Sequence, residues 1–214
     1  MHLYVIRHGQ SIENTQPFDG RNENSVLTQK GEQQAKHLAT WAKENLPLDH
    51  LYASPMNRAR QTAEALGQAV GLTPIFDDRL REIGNNYPDG SAFPDNALPR
   101  YFADRWGSLN PYDAVTENGE NWMHFRARVG GFIEWLIDHY EPDHLGKRIG
   151  VVCHGGVIEG FFEHVFQKGP WSPVVVNTNN TGITHMEYHP RPSFPDWWVF
   201  YHNNTRHLPL DLLT

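Results

Sequence analysis

The sequence predicts an α/β fold built on a mostly parallel central sheet, and three features carry that expectation. Leu3-Tyr4-Val5-Ile6 is an unbroken run of strand-forming residues, as expected of a strand buried on both faces. Ile149-Gly150-Val151-Val152 repeats the pattern late in the chain. Between them, segments with apolar residues at helical spacing alternate with short strand candidates, the order that a parallel sheet requires.

Taken in order, the first strand runs straight into Arg7-His8-Gly9 and then into a loop over Thr15 to Asn24 rich in Asn, Asp and Gly. Thr28 is a good N-cap for a helix over Gln29 to Asn45, with Ala35, Leu38, Ala39 and Ala42 on one face and Pro47 beyond its end. Leu48 to Ala53 is a strand candidate. Ser54 as N-cap and Pro55 at the first helical position predict a second helix, stopped by Gly71. Thr73 to Phe76 reads as a third strand, leading to Leu80-Arg81-Glu82.

From Ile83 to Gly119 the periodicity dissolves into four prolines and several aromatics, among them Tyr87, Phe93, Tyr101 and Trp106. So long a loop in a single domain points to a functional insertion, and its aromatic content argues against disorder. We expect a cap over the site, with a short helix around Pro99 to Trp106. A helix with Trp122, Phe125, Val129, Phe132, Ile133, Leu136 and Ile137 on one side follows from Glu120 to about Tyr140. Arg148 to Cys153 is a buried strand ending in His154-Gly155-Gly156 and another helix. Thr181 to His189 and Trp197 to His202 read as a closing hairpin, linked by the Pro-rich stretch from Pro190 to Pro195.

At 214 residues, with 39% hydrophobic residues, the chain suits one domain with a substantial core, and no repeat or linker divides it. A mean hydropathy of -0.60 and the lack of a long apolar run predict no membrane span. Met1-His2-Leu3 leaves no room for a signal peptide before the first strand, and the lone cysteine suits a reducing cytosol, so a cytoplasmic protein is expected. The net charge of -7 provides no global field for nucleic acid. An anion must therefore find a locally positive pocket.

Four strand ends carry such groups. Arg7 and His8 follow the first strand, Arg58 lies in the first turn after the second, Glu82 follows the third, and His154 follows the fourth. In a parallel sheet these ends share one edge, where α/β proteins bind ligands. Two arginine forks, two imidazoles and helix N-termini make a cationic pocket suited to a dianion such as a phosphoryl group. A neutral imidazole there can attack phosphorus, the surrounding cations stabilise the equatorial oxygens, and Glu82 can hand a proton to the leaving alkoxide. Such a site needs no metal and no cofactor.

Arg7-His8-Gly9-Gln10-Ser11-Ile12-Glu13-Asn14, Leu27-Thr28-Gln29-Lys30-Gly31-Glu32, Ser54-Pro55-Met56-Asn57-Arg58-Ala59-Arg60-Gln61-Thr62-Ala63, Leu80-Arg81-Glu82, Gly119-Glu120-Asn121 and Val151-Val152-Cys153-His154-Gly155-Gly156 follow one another in this chain. Together they resemble the histidine phosphatase superfamily, in the branch of the cofactor-dependent phosphoglycerate mutases and their phosphatase relatives. The resemblance implies a three-layer α/β/α sandwich, His8 as phosphorylated nucleophile, and Glu82 as general acid and base. Arg7, Asn14, Arg58, His154 and Gly155 would hold the phosphoryl group. Gln10 and Asn121 depart from the residues common in the family, and Ile83 to Gly90 matches its relatives only loosely.

Other groups have plainer readings. Arg60 and Arg79 suit shielding of helices, while Asp78 and Glu120 are the carboxylates that compete with Glu82 for the acid role. A cysteine-phosphatase reading of Cys153 needs an arginine where the chain has Glu159. The thirteen histidines, including His37, His50, His139, His144 and His207, are scattered without metal-ligand spacing. The expected function is hydrolysis of a small phosphorylated molecule, with exposed aromatics of the insertion or hairpin suiting a homodimer. Mutases of the family carry extra basic residues in the insertion, whereas this one offers Arg100 and Arg105 and no lysine. A mutase, a phosphoprotein phosphatase and a non-catalytic phospho-ligand binder are the alternatives.

Overall fold

A computed structural model describes residues 1–140, 146–167, 169, 175–190 and 196–214. The strands are β1 (His2–Arg7), β2 (His50–Ala53), β3 (Ile75–Phe76), β4 (Arg148–Cys153), β5 (Ile183–Tyr188) and β6 (Trp197–Asn204). They form one sheet in the order β3-β2-β4-β1-β5-β6. The first four are mutually parallel, with Val5 opposite Val151 and Arg7 opposite Cys153. β5 runs antiparallel to β1, and β6 antiparallel to β5.

Alternation along β1 divides two cores, because successive side chains leave a strand on opposite faces. Leu3 and Val5 pack with Val151, Phe125, Phe132 and Phe161 beneath α3 (Trp122–His139) and α4 (Gly155–Val165). Ile6 packs on the other face with Leu38, Ala59, Ala63 and Leu66 from α1 (Gln29–Asn45) and α2 (Asn57–Val70). The result is the expected three-layer sandwich.

Several boundaries move, each for a local reason. α1 begins as expected, its Thr28 hydroxyl accepting from Gly31 N at 3.1 Å. α2 starts at Asn57 rather than Pro55, and its cap, Met56, makes no side-chain bond. Ser54 Oγ accepts from Met56 N, ahead of the helix, at 3.3 Å and stands 2.8 Å from His154 Nε2. β3 shortens to two residues, since Pro74 has no N–H to donate and Ile75 lies exposed at the sheet edge. α3 begins at Trp122, where Asn121 Oδ1 accepts from His124 N in a capping box. β5 begins only at Ile183, because Thr181 turns its N–H toward the carbonyls of Arg7 and His8. The expected short helix in the insertion is a 3₁₀ segment over Ala103–Ser108. His144 and most of the Pro190–Pro195 link lie outside the described residues.

The segment 83–119 has its own anchor. Arg128 of α3 and Glu120 form a buried ion pair at 2.6 Å. Arg128 also donates to the carbonyls of Arg79 and Arg81, while Glu120 Oε1 accepts from Gly84 N. This pair thus fixes the backbone on both sides of Glu82. Asp78 meets Arg81 at 3.5 Å. Both rival carboxylates are occupied structurally.

Candidate active site

The parallel sheet delivers its C-terminal ends to one edge, and His8 N closes the register by donating to Cys153 O at 2.9 Å. Behind His8, a β-carbon on Gly9 would meet Gly31 O at 2.6 Å, and one on Gly31 would meet Gln10 O at 2.0 Å. The loop and the start of α1 are therefore packed backbone to backbone, which only glycine permits. Gly9 N donates to Thr62 Oγ1 at 3.0 Å.

His8 is buried, and its Nδ1 lies 2.6 Å from Gly9 O. A carbonyl only accepts, so Nδ1 carries the proton and Nε2 keeps its lone pair. Nε2 accepts from Arg58 Nε at 3.2 Å. Burial first, then the charges of Arg58 and Arg7, hold this imidazole well below its ordinary pKa. His8 is therefore a neutral imidazole whose Nε2 lone pair faces Arg58.

His154 caps α4 without a side-chain capping bond, and its ring centroid stands 5.1 Å from that of His8. Ser54 Oγ accepts from Met56 N at 3.3 Å and stands 2.8 Å from His154 Nε2. His154 Nδ1 is buried with no hydrogen-bond partner among the described residues. Burial and the nearby cations also lower its pKa well below the ordinary value. Arg7 Nη1 donates to Thr178 O, while its Nε is buried without a hydrogen-bond partner over Gly155. Arg58 Nη1 lies 3.2 Å from Glu13 Oε2 but is not aligned for a hydrogen bond. Burial raises the Glu13 carboxyl against the pull of Arg58.

Glu82 accepts from Ile83 N at 3.0 Å through Oε1 and from Gly156 N at 3.1 Å through Oε2. A β-carbon on Gly156 would stand 2.4 Å from Glu82 Oε1, so glycine is what admits the carboxylate to the α4 N-terminus. Asn14 accepts from Ser11 N at 3.1 Å and Asn180 Nδ2 at 3.3 Å, leaving its NH₂ end for a ligand.

Arg7, His8, Asn14, Arg58, Glu82 and Gly155 all line one cavity of about 470 Å³, with His154 packed beside His8 at its floor. Its outer wall comes from Ile12 to Glu23, with Phe18, Arg21 and the acids Glu13, Asp19 and Glu23. The insertion that was expected as a cap stands behind this wall. Tyr101 and Trp106 pack on Phe18, Arg100 donates to Asp19 O, and Asn22 donates to the carbonyls of Gly84 and Pro99.

Residues 178–181, whose role no motif or period marks, clamp the Arg7-His8 loop. Asn180 Nδ2 donates to His8 O at 2.9 Å, and Thr181 N is shared between Arg7 O and His8 O. Thr181 holds a φ of 57°, a left-handed conformation that a β-branched residue adopts only under constraint. Thr214 and Gln34 brace the clamp, through Asn180 Oδ1 and Gln10 N respectively. Such contacts follow no sequence period. Cys153 is fully buried, with its thiol pushed well up by desolvation. Among the described residues no group of three metal-ligating side chains converges, and no helix is long and apolar enough to cross a membrane.

This architecture is an α/β sandwich whose parallel strand ends gather two arginines, two neutral imidazoles and a carboxylate around one cavity. The chain belongs to the histidine phosphatase superfamily (branch 1), whose model matches residues 3–199. It is 27% identical over 216 residues to the probable phosphoglycerate mutase GpmB of Escherichia coli O1:K1, covering 93% of this chain and 90% of that protein. Among solved structures it is similar to the alpha-ribazole phosphatase of Shigella flexneri, with a TM-score of 0.72, 21% identity and coverage of 96% and 97%. A mycobacterial glucosyl-3-phosphoglycerate phosphatase matches at a TM-score of 0.71, 22% identity and coverage of 94% and 98%. The named relatives include both phosphatases and a mutase.

Proposed function

We propose that this chain is a metal-independent phosphomonoesterase that works through a phosphohistidine at His8 on a small phosphorylated metabolite. One observation carries the reading: Arg7 Nε, Arg58 Nη1 and His154 Nδ1 are buried around His8 without hydrogen-bond partners among the described residues. Buried polar groups left unpaired are costly, and a phosphoryl dianion satisfies the two guanidinium donors and, with Nδ1 protonated, His154 as well.

The substrate's phosphoryl oxygens take those donors, and Gly155 lets the group approach the α4 N-terminus. His8 Nε2 attacks phosphorus in line while the P–O bond to the leaving group breaks. Glu82 in its acid form gives that oxygen a proton, and its carboxylate then takes one from a water. The water attacks phospho-His8, the P–N bond breaks, and phosphate leaves with His8 neutral again. The arginines supply the charge stabilisation throughout.

The cavity wall favours a hydrolase over a mutase. Its acids Glu13, Asp19 and Glu23 face one further cation, Arg21, which is already tied to Asp19 at 2.7 Å. Such a wall suits a substrate with a single phosphate better than a phosphorylated acid. Phosphate release from a panel of phosphomonoesters with EDTA present tests this. EDTA-resistant release by the wild type, lost in His8→Ala, is expected. Isomerisation of 3-phosphoglycerate without release would make the chain a mutase, and activity surviving in His8→Ala would refute the nucleophile.

A further inference from the structure

A second cavity, of about 370 Å³, lies against the far side of the same wall. Trp106, Leu109, Val115, Trp122 and Ile83 make it largely apolar, and three acids, Asp113, Glu159 and Glu163, enter it. Two of the acids are occupied. Asp113 Oδ2 accepts from Asn110 N and Nδ2 at 2.9 and 2.6 Å. Glu163 Oε2 takes Arg126 Nε at 2.6 Å and Trp122 Nε1 at 3.0 Å. Glu159 is half-buried and has no hydrogen-bond or ion-pair partner among the described residues. Burial, then Glu163 and Glu82, push its carboxyl up to about 7.

The partition between the two cavities is thin. Phe18 faces one and Trp106 the other, with ring centroids 4.9 Å apart. Glu82 and Ile83 are neighbours in the chain and divide the same way. Gly155 and Glu159 stand one turn apart on α4, ~6 Å along its axis.

We propose that this cavity is a binding site for a small organic cation with an apolar body, held between Trp106 and Trp122 with its ammonium against Glu159. Indole faces attract ammonium groups, an unpaired carboxylate completes the recognition, and an anionic ligand would meet three acids. The partition separates this site from the phosphoryl pocket, so its ligand is a free amine or quaternary ammonium compound rather than one end of a phosphate ester.

Calorimetric titration of the wild-type protein with choline and with its neutral isostere 3,3-dimethylbutan-1-ol separates charge recognition from apolar burial. The site predicts that choline binds about tenfold more tightly than the alcohol. Glu159→Gln should cut that preference severalfold, and Trp106→Leu should weaken choline binding in a side chain that is already 42% exposed. Equal binding of the two compounds, or a preference unchanged in Glu159→Gln, would overturn the site. Choline that binds without changing KM for an aryl phosphate supports the separate site, whereas choline that competes with the aryl phosphate would place it in the phosphoryl pocket and overturn the proposal. A protein that hydrolyses nothing would sink the phosphatase reading and leave the titration fully readable.

Discussion

What surrounds each ring nitrogen sets the protonation state of His8. The Gly9 carbonyl fixes the proton on Nδ1, and burial beside two arginines keeps Nε2 unprotonated. Its pKa is depressed, so the neutral form persists as pH falls below the ordinary value of about 6.5. Nitrogen NMR of the imidazoles should show His8 as the neutral Nδ1–H tautomer at pH 5.5, and an imidazolium signal there would contradict the site. Glu82→Gln removes the proton donor and should lower turnover by about 10²–10⁴-fold, measured as kcat on the best substrate. Most of these residues were legible in the sequence because a strand that ends in a charged turn announces both its place and its chemistry. Asn180 and Thr181 were not legible, since they act through a single amide and a backbone N–H in a stretch with no periodicity. The wall from Ile12 to Glu23 was missed for a related reason: a polar loop does not reveal which way it folds.

At the scale of elements, the site depends on how α3 and α4 hold the Glu82 segment. Gly156→Ala places a methyl group where Glu82 Oε1 now stands, and should cost about 10²-fold in kcat while circular dichroism stays native. Unchanged turnover would mean that Glu82 does not need its seat at the α4 N-terminus. Glu120→Ala strands the buried Arg128 guanidinium and should destabilise the protein by about 3–5 kcal/mol in urea unfolding. A loss within the range of a surface substitution would show that the pair is not an anchor. Helix and strand order was readable because apolar periodicity reports burial directly. Boundaries were less so: Ser54 looks like a helix cap, yet its hydroxyl accepts from Met56 N, ahead of the helix, and stands against His154. β3 shrank because edge strands receive little support from propensity once a proline removes a donor.

Over the whole molecule, folding buries imidazoles in neutral form, and that ties stability to pH. His207 is the cleanest case, with Nε2 at 3.0 Å from Thr181 Oγ1 and a pKa driven down to about 4 by burial and by His37. Between about pH 6.5 and 4 the unfolded chain holds a proton on this ring that the folded protein lacks. Its contribution is therefore present near neutrality and lost as pH falls, by ~1.4 kcal/mol per pH unit. His207→Gln should lose less stability than the wild type between pH 6.5 and 4 in urea melts. Glu159, whose raised pKa acts in the opposite direction, cancels in that difference. Identical pH dependence would remove His207 from the account. Covalent chemistry at His8 is tested most directly by mass spectrometry of the protein quenched in alkali during turnover, which preserves a P–N bond. One phosphoryl group is expected on the peptide that contains His8, absent in His8→Ala and accumulating in Glu82→Gln if dephosphorylation is the slower step. A phosphoryl group on another residue, or turnover with no phosphorylated protein, would contradict it.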